Sequence, residues 1–338
     1  MHRSASAAAI LSLTAAPAFA APQVVADLVP TGALVQEVMG ELGQVRVLLP
    51  RGASAHHYQM RPSDAQALQL ADLVVWMGPA LTPWMARATE NLGNAAQLRL
   101  LEAPGTTLQD YGPTKDHDPD HDHGHDHDHA HDHDHAGHGD EHDHHHDGHD
   151  HDHAGGHDHD DHSHTGTDPH AWLSPQNARP WLDAIVASLA AQDPENAGTY
   201  RANADAAAQR IEALDATLRE QLAPHAEEKF VVFHDAYGYF TSHFGLQPAV
   251  PVALGDAATP SAARIDRVRT QIQDSGATCA FPEYAHDQAL INTVIEGTNV
   301  RLGDELSPEG GVLEPGAGQY DALLTNMANT IAACLQGE

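Results

Sequence analysis

The segment from Asp116 to His164 most constrains what this chain can fold into. It contains 21 histidines and 17 acidic residues, and it has no lysine or arginine. Because it shows no apolar periodicity, it cannot bury a hydrophobic core, and we expect it to be disordered. A segment of this size inside a folded chain is typical of a functional loop or a tether.

The composition of this insert also predicts metal binding. Histidine has an unperturbed pKa near 6.5, so many of these imidazoles are neutral near pH 7 and can bind a metal ion. The neighbouring acids should raise those pKa values, and proton competition should then lower the affinity. We expect several weak, exchangeable metal sites. The alternative is a solubilising spacer that binds metal incidentally.

The net charge of −32 excludes a nucleic-acid partner, because phosphate binding requires clustered Lys and Arg. The 16 Lys and Arg of the chain are scattered. The insert supplies 17 of the negative charges, since its 17 acids face no basic residue.

The first twenty residues are typical of a secretory signal. His2 and Arg3 precede a short apolar stretch, and Ala18-Phe19-Ala20 is a small-residue cleavage site. We expect cleavage after Ala20 and a soluble, exported mature protein; the alternative is an uncleaved N-terminal membrane anchor. No later segment is apolar enough for a membrane helix.

Before the insert, apolar strands alternate with helices, a rhythm that predicts a parallel sheet covered by helices. The predicted strands are Gln23–Leu28, Val45–Leu49 and Asp72–Met77, and the predicted helices are Thr31–Met39 and Pro62–Leu70, the latter with Ser63 as N-cap.

After the insert, the longest helical pattern runs from Pro194 to Leu222, with Asp193 as its N-cap. A second α/β unit follows, with strands at Lys229–His234, Gln247–Val252 and Ala277–Pro282. The fold class is therefore α/β, with two lobes of mainly parallel sheet joined by one long rigid helix. The predicted boundaries are a signal peptide at 1–20, a first lobe at 21–192, a linker helix at 193–224 and a second lobe at 225–338.

Three histidines carry the strongest chemical signal. His56 follows the strand Val45–Leu49, His170 follows the insert, and His234 ends the strand Lys229–His234. Ligands of open α/β sheets bind beyond the carboxyl ends of the strands, so imidazoles from separate loops can meet there at one Zn²⁺ ion. His57 is the alternative to His56, and any single loop histidine can instead be a surface or structural residue.

The chain contains two cysteines, Cys279 and Cys334. In an oxidising compartment they either form a disulfide or remain as two separate buried thiols.

Several longer motifs resemble the metal-binding proteins of the zinc/manganese ABC-transporter family, in particular their zinc branch, the ZnuA type. The resemblance covers nearly the whole mature chain. It is carried by GASAHHYQMRPSDAQALQLADLVVWMGP, DPHAWLSPQNARPWL, DPENAGTYRANADA, KFVVFHDAYGYF and RLGDELSPEGG.

The resemblance implies that His56, His170 and His234 bind the metal in a cleft between two lobes and that the protein delivers it to a membrane permease. It also implies a disulfide between Cys279 and Cys334, and it makes a His-rich loop a trait of the zinc branch.

The fourth ligand is where the sequence departs from the family. His234 stands where manganese-type relatives have Glu, which favours zinc. Ser307 stands where many relatives have Asp before Pro, so the fourth ligand is Asp304, Glu305 or water. Glu283 either lines the cleft or is a solvated residue at a strand end.

These features predict a monomeric periplasmic protein that captures Zn²⁺ for an ABC-type importer. The alternatives are a zinc buffer or metallochaperone that needs no permease, and a zinc hydrolase. No H-E-x-x-H, G-x-S-x-G or P-loop motif is present, so we expect no enzyme.

Overall fold

A computed structural model describes residues 21–92, 95–111, 166–253, 255, 260–313, 316 and 318–337. The predicted signal peptide and the insert at 116–164 lie outside these residues. None of the described helices is long and apolar enough to span a bilayer.

In the first lobe, strands alternate with helices in the order β1, α1, β2, α2, β3, α3, β4. Their bounds are β1 Val24–Ala26, α1 Val29–Met39, β2 Val45–Val47, α2 Pro62–Leu70, β3 Leu73–Trp76, α3 Pro83–Leu92 and β4 Ala96–Arg99, and α4 Ala178–Gln192 follows the insert. The strands form one parallel sheet in the order β2-β1-β3-β4.

The second lobe repeats this arrangement after the long helix α5, Ala197–Leu222. Its elements are β5 Phe230–His234, α6 Gly238–Phe244, β6 Val250–Ala253, α7 Ala262–Ser275, β7 Cys279–Ala280, α8 Ala289–Ile295, β8 Arg301–Leu302 and α9 Gln319–Gln336. Its sheet is parallel with the order β6-β5-β7-β8, so the predicted fold class of two parallel α/β lobes is confirmed.

The helix α5 buries one apolar face, as its spacing predicts. The buried residues include Tyr200, Ala204, Ala207, Ile211, Leu218 and Leu222, whereas Leu214 is only half-buried. A 3₁₀ turn at Pro194–Asn196 precedes α5. Asp193 accepts hydrogen bonds from the Asn196 side chain and the Tyr200 hydroxyl at 2.7 and 2.8 Å, and this bonding lowers its pKa.

Alternating residues of β5 enter two different cores, because successive side chains of a strand point to opposite faces of the sheet. Phe230 and Val232 belong to the large core that also contains α1, α4, α5 and α9. Val231 and Phe233 belong to a smaller core under α7 and α8. The large core is therefore shared by both lobes.

The C-terminal helix α9 is a second connection between the lobes, in addition to α5. It packs against both α1 and α5. Arg210 of α5 forms ion pairs with Glu37 of α1 and Asp321 of α9, at 2.9 and 2.5 Å. The two lobes are thus joined through a three-helix contact as well as through the chain itself.

The disulfide between Cys279 and Cys334 is present and connects β7 to α9, which confirms the predicted pairing. The predicted N-cap of α2 is wrong. The helix begins at Pro62 after Arg61, and Asp64 takes the capping role instead of Ser63. The Asp64 carboxylate accepts hydrogen bonds from the Arg61 backbone and the Tyr58 hydroxyl, at 3.0 and 2.6 Å.

Candidate metal centre

His56 lies in the loop that follows β2 of the first lobe. The preceding residue, Ala55, is buried, and its carbonyl oxygen accepts a hydrogen bond from Trp84 Nε1 at 2.8 Å. The His56 ring faces the His170 ring, with 5.6 Å between ring centres. The His57 side chain is exposed, so the loop geometry favours His56 over His57 at the centre.

His170 is completely buried and is oriented by a carboxylate two residues before it. Asp168 Oδ1 accepts hydrogen bonds from the backbone N–H of His170 at 2.9 Å and from its Nδ1 at 2.7 Å. The Tyr239 hydroxyl donates to the backbone oxygen of Asp168 at 3.0 Å. The loop is therefore held by side chains of the second lobe.

His234, at the end of β5, is oriented in the same way by a residue distant in sequence. Its Nδ1 donates to Glu283 Oε2 at 2.8 Å, and the Tyr237 hydroxyl donates to the same oxygen at 3.1 Å. Glu283 is only 1% exposed, which rules out its interpretation as a solvated residue at a strand end.

Each of these carboxylates determines which nitrogen of its histidine can bind a metal. An ionised carboxylate only accepts hydrogen bonds, so the proton of His170 and that of His234 lie on Nδ1 and each Nε2 keeps a lone pair. The Nε2 atoms of His56, His170 and His234 are all buried. Carboxylate–histidine pairs of this kind are typical of zinc sites.

The spacing of the rings suits one ion. The ring centres of His170 and His234 are 5.4 Å apart, and those of His56 and His170 are 5.6 Å apart. Two imidazoles bound to one tetrahedral zinc at the usual Zn–N distance have ring centres about 5 Å apart. The three predicted histidines are therefore neighbours, although they come from three separate segments.

The structure also brings acids to the centre that the sequence interpretation missed. The ligand atoms of His234, Glu283 and Glu309 lie within 4.8 Å of one another. Asp304 and Glu305, the predicted candidates for a fourth ligand, are exposed instead. Glu309 lies in the loop after β8, where no periodicity indicates which side chain turns inward.

The electrostatics of the centre favour a cation. Burial and the charge of Asp168 together raise the pKa of Asp235 to about 6, although His234 and Arg264 lower it. Burial and the charges of Glu283 and Glu309 raise the pKa of Tyr237 well above its usual value. A bound divalent ion would relieve this concentration of negative charge.

The two ends of the insert meet beside His170. Tyr111 donates its backbone N–H to Gly166 at 3.0 Å, and Asp168 donates to Gln109 at 2.9 Å. The Tyr111 ring centre lies 6.5 Å from that of His170. The stem of the insert is thus closed by backbone pairing next to a predicted metal ligand.

Two parallel α/β lobes with buried, carboxylate-oriented histidines define a two-lobed metal-binding protein. The chain belongs to the ZnuA family, described as zinc-uptake complex component A, periplasmic, which matches residues 24–334. The resemblance predicted from the sequence motifs is confirmed, and the description of the family as periplasmic agrees with the predicted export.

The relatives support the same family. The chain is 54% identical over 330 residues to the high-affinity zinc uptake system protein ZnuA of Paracoccus denitrificans (strain Pd 1222), covering 97% of this chain and 96% of the relative. It is 36% identical over 316 residues to the protein of the same name from Brucella abortus (strain 2308), covering 92% and 91%.

Solved structures share the fold. A structure described as the crystal structure of ZnuA has a TM-score of 0.69 at 21% identity, covering 93% of this chain and 99% of that one. The Mn-bound periplasmic metal-binding protein from Candidatus Liberibacter asiaticus has a TM-score of 0.67 at 19% identity, with the same coverage.

Proposed function

We propose that this protein captures Zn²⁺ in the periplasm and delivers it to an ABC-type zinc importer. The observation that carries the proposal is the group of three imidazoles with buried Nε2 atoms, two of them oriented by carboxylates. The names of the relatives, high-affinity zinc uptake system proteins, support zinc as the cargo.

His56, His170 and His234 are the proposed ligands. Neutral imidazole nitrogens suit zinc better than the oxygen-rich sets that manganese prefers. With Asp304 and Glu305 exposed, water is the remaining predicted fourth ligand. Asp168 and Glu283 hold the Nδ1 protons, which makes each Nε2 a stronger electron donor to the ion.

The proposed organisation keeps the predicted boundaries. The signal peptide at 1–20 is removed after Ala20, and the lobes at 21–192 and 225–338 are joined by the linker helix at 193–224. The shared core and the helix α9 favour a small closing motion over a wide hinge. Zinc release then depends on a local change at the site or on docking to the permease.

We also propose that the protein is a monomer without enzymatic activity and that the insert collects zinc. The ends of the insert meet beside His170, and tethering the insert at this point would raise the local zinc concentration at the centre.

Competition titrations with a zinc chelator test the ligand assignment. Apparent binding free energies of structural zinc sites are about 10–16 kcal/mol over four ligands, so His56→Ala, His170→Ala and His234→Ala should each weaken tight binding by at least about 100-fold. His57→Ala is the matched control and should retain the tight site. Equal loss in His57→Ala, or tight binding retained in the other three, would contradict the assignment.

A growth assay distinguishes a zinc-transport protein from a zinc buffer. A strain that lacks this protein should grow poorly in zinc-poor medium and recover when zinc is added. Recovery by a His234→Ala chain would show that the proposed centre is not needed for uptake.

A further inference from the structure

A cavity of 130 Å³ lies beside the three-histidine centre. His286 and Glu309 line it, together with Ser54 and Arg51 of the loop that leads to His56. The His286 ring centre is 6.5 Å from that of His234, so this lining residue is a neighbour of the centre. Its volume exceeds the roughly 30 Å³ that one water occupies in the liquid, which leaves room for a partly hydrated ion.

The two oxygens of Glu283 have different environments. Oε2 accepts hydrogen bonds from His234 and Tyr237. Oε1 is buried and accepts no hydrogen bond from the described residues, although it lies 3.5 Å from His286 Nε2. A buried carboxylate oxygen without a donor is costly, and a cation at that position would remove the cost.

His286 is held in place by a strained turn and by ring packing. Ala285 adopts a left-handed conformation with φ of 65°, which side-chain-bearing residues rarely do. The turn places the His286 ring 4.3 Å from the Phe233 ring, at an interplanar angle of 33°. Strain of this kind persists where the surrounding structure enforces it, and it is frequent at functional sites.

The positions of these donors fit a metal ion. The edge of a tetrahedron of zinc ligands is about 3.3 Å, close to the 3.5 Å between Glu283 Oε1 and His286 Nε2. Glu309 lines the same cavity as His286, and its ligand atom lies within 4.8 Å of those of Glu283 and His234. One imidazole nitrogen and two carboxylate oxygens are a donor set that zinc accepts.

We propose that Glu283, His286 and Glu309 form a second, weaker Zn²⁺ position between the cavity and the three-histidine centre. This inference rests on the proposed function, because it makes the position a stage in loading and release. His286 is 22% exposed, so the ion there keeps access to water and exchanges faster than the buried one.

Glu283 couples the two positions. An ion bound at Oε1 withdraws negative charge from the carboxylate and weakens its hydrogen bond to His234 Nδ1. His234 Nε2 then becomes a poorer donor to the inner ion. Filling the outer position should therefore speed release from the inner one.

The test uses cadmium NMR, with Cd²⁺ as the probe, on a chain in which a short Gly-Ser link replaces 112–165. The backbone pairing of Tyr111 with Gly166 already brings the two ends together, and the residues on either side of the insert form a compact unit without it. We expect two signals, one from a nitrogen-rich site that fills first and one from an oxygen-rich site that fills second.

His286→Phe is the decisive variant, because it keeps a ring against Phe233 and removes the nitrogen donor. It should abolish the second signal. His57→Phe, an exposed histidine of the neighbouring loop, is the matched control and should retain it. Glu309→Gln should weaken the second site by about 10-fold or more, because losing a ligand costs at least as much as losing a group that supports one.

Two outcomes would overturn the proposal. One is a second signal that survives His286→Phe, and the other is a loss of the first signal in Glu309→Gln as large as in His234→Ala, which would make Glu309 an inner ligand. The proposed function fails differently, through a first signal that persists in His56→Ala and His170→Ala.

Discussion

The first-lobe sheet and the second-lobe sheet have the same strand order, but their helices cover them to different extents. Helix α1 of the first lobe buries nine of its 11 residues, whereas α7 of the second lobe buries only Val268 and Ile272. Among the described residues, the smaller core under α7 contains ten buried ones. Sheets of the same strand order therefore carry helices that are buried to very different extents.

Each lobe also contains a different internal link. The second lobe has the covalent link between Cys279 and Cys334. In the first lobe, Asp27 follows β1 and is completely buried, and its carboxylate accepts hydrogen bonds from the backbone N–H groups of Leu28 and Met77 at 2.8 Å each. The comparison predicts that the two lobes respond to different perturbations.

The largest expected effect is on the second lobe. Replacing Cys279 and Cys334 together by Ala should lower the free energy of unfolding by about 4 kcal/mol, the chain-entropy value for a loop closed by residues 55 apart. Hydrogen exchange should show lost protection in β5, β7 and α9, with β1 and β3 retained. An equal loss of protection in both sheets would show that the shared core makes them one cooperative unit. The two lobes would then not differ in their response.

The stability of the first lobe should depend on pH through Asp27. Burial raises the pKa of Asp27 from 3.8 to about 6, so the stability from this group is complete below pH 3.8 and lost as the pH rises through 6. At 1.36 kcal/mol per pKa unit, the loss by pH 7 is about 3 kcal/mol.

Denaturation of the metal-free protein and of Asp27→Asn checks this effect. From pH 4 to pH 7 the variant should gain about 2 kcal/mol relative to the unsubstituted chain, because the amide does not ionise. Parallel stability curves for the two chains would refute the assignment.

An effect of intermediate size is expected on zinc affinity when the carboxylates that orient the histidines are replaced. Asp168→Asn and Glu283→Gln should each weaken zinc binding by about 10–100-fold, the usual cost of losing a group that orients a metal ligand. Tyr237→Phe removes only the other hydrogen bond to Glu283 and should cost less than either. Chelator competition gives all three values, and a cost near zero for the two carboxylates would remove their proposed role.

The smallest expected effect concerns α7, which buries only two of its 14 residues. Ser261 is its N-cap, and its hydroxyl accepts a hydrogen bond from the Arg264 backbone at 3.2 Å. Ser261→Ala should lower the free energy of unfolding by about 1 kcal/mol, while Ser261→Asp should restore it. An equal loss in both variants would point to the space around Ser261 instead of the cap.

Periodicity predicted the elements that have a clear apolar pattern. The face of α5 and the strands β1, β3 and β5 are found where their residues indicate them. Helix α3 and strand β4 were not predicted. Half of β4 is exposed, because it is an edge strand, and an edge strand carries no continuous apolar run.

The candidate centre likewise contains one pairing that the local sequence indicates and others that it does not. His170 and Asp168 are two residues apart, so their pairing follows from one short loop. Glu283 was recognised only as one of two alternatives, and Glu309 and His286 were not recognised. Their roles depend on how the loops after β7 and β8 fold back toward β5, which no local pattern records.

The sequence by itself determined the strands that have a clear apolar pattern, the long helix and the kinds of side chain available to a metal. Each of these depends on backbone periodicity or composition within one segment. Only the tertiary structure decided which donors meet, because His234 and Glu283 are 49 residues apart and come together through the pairing of β5 with β7.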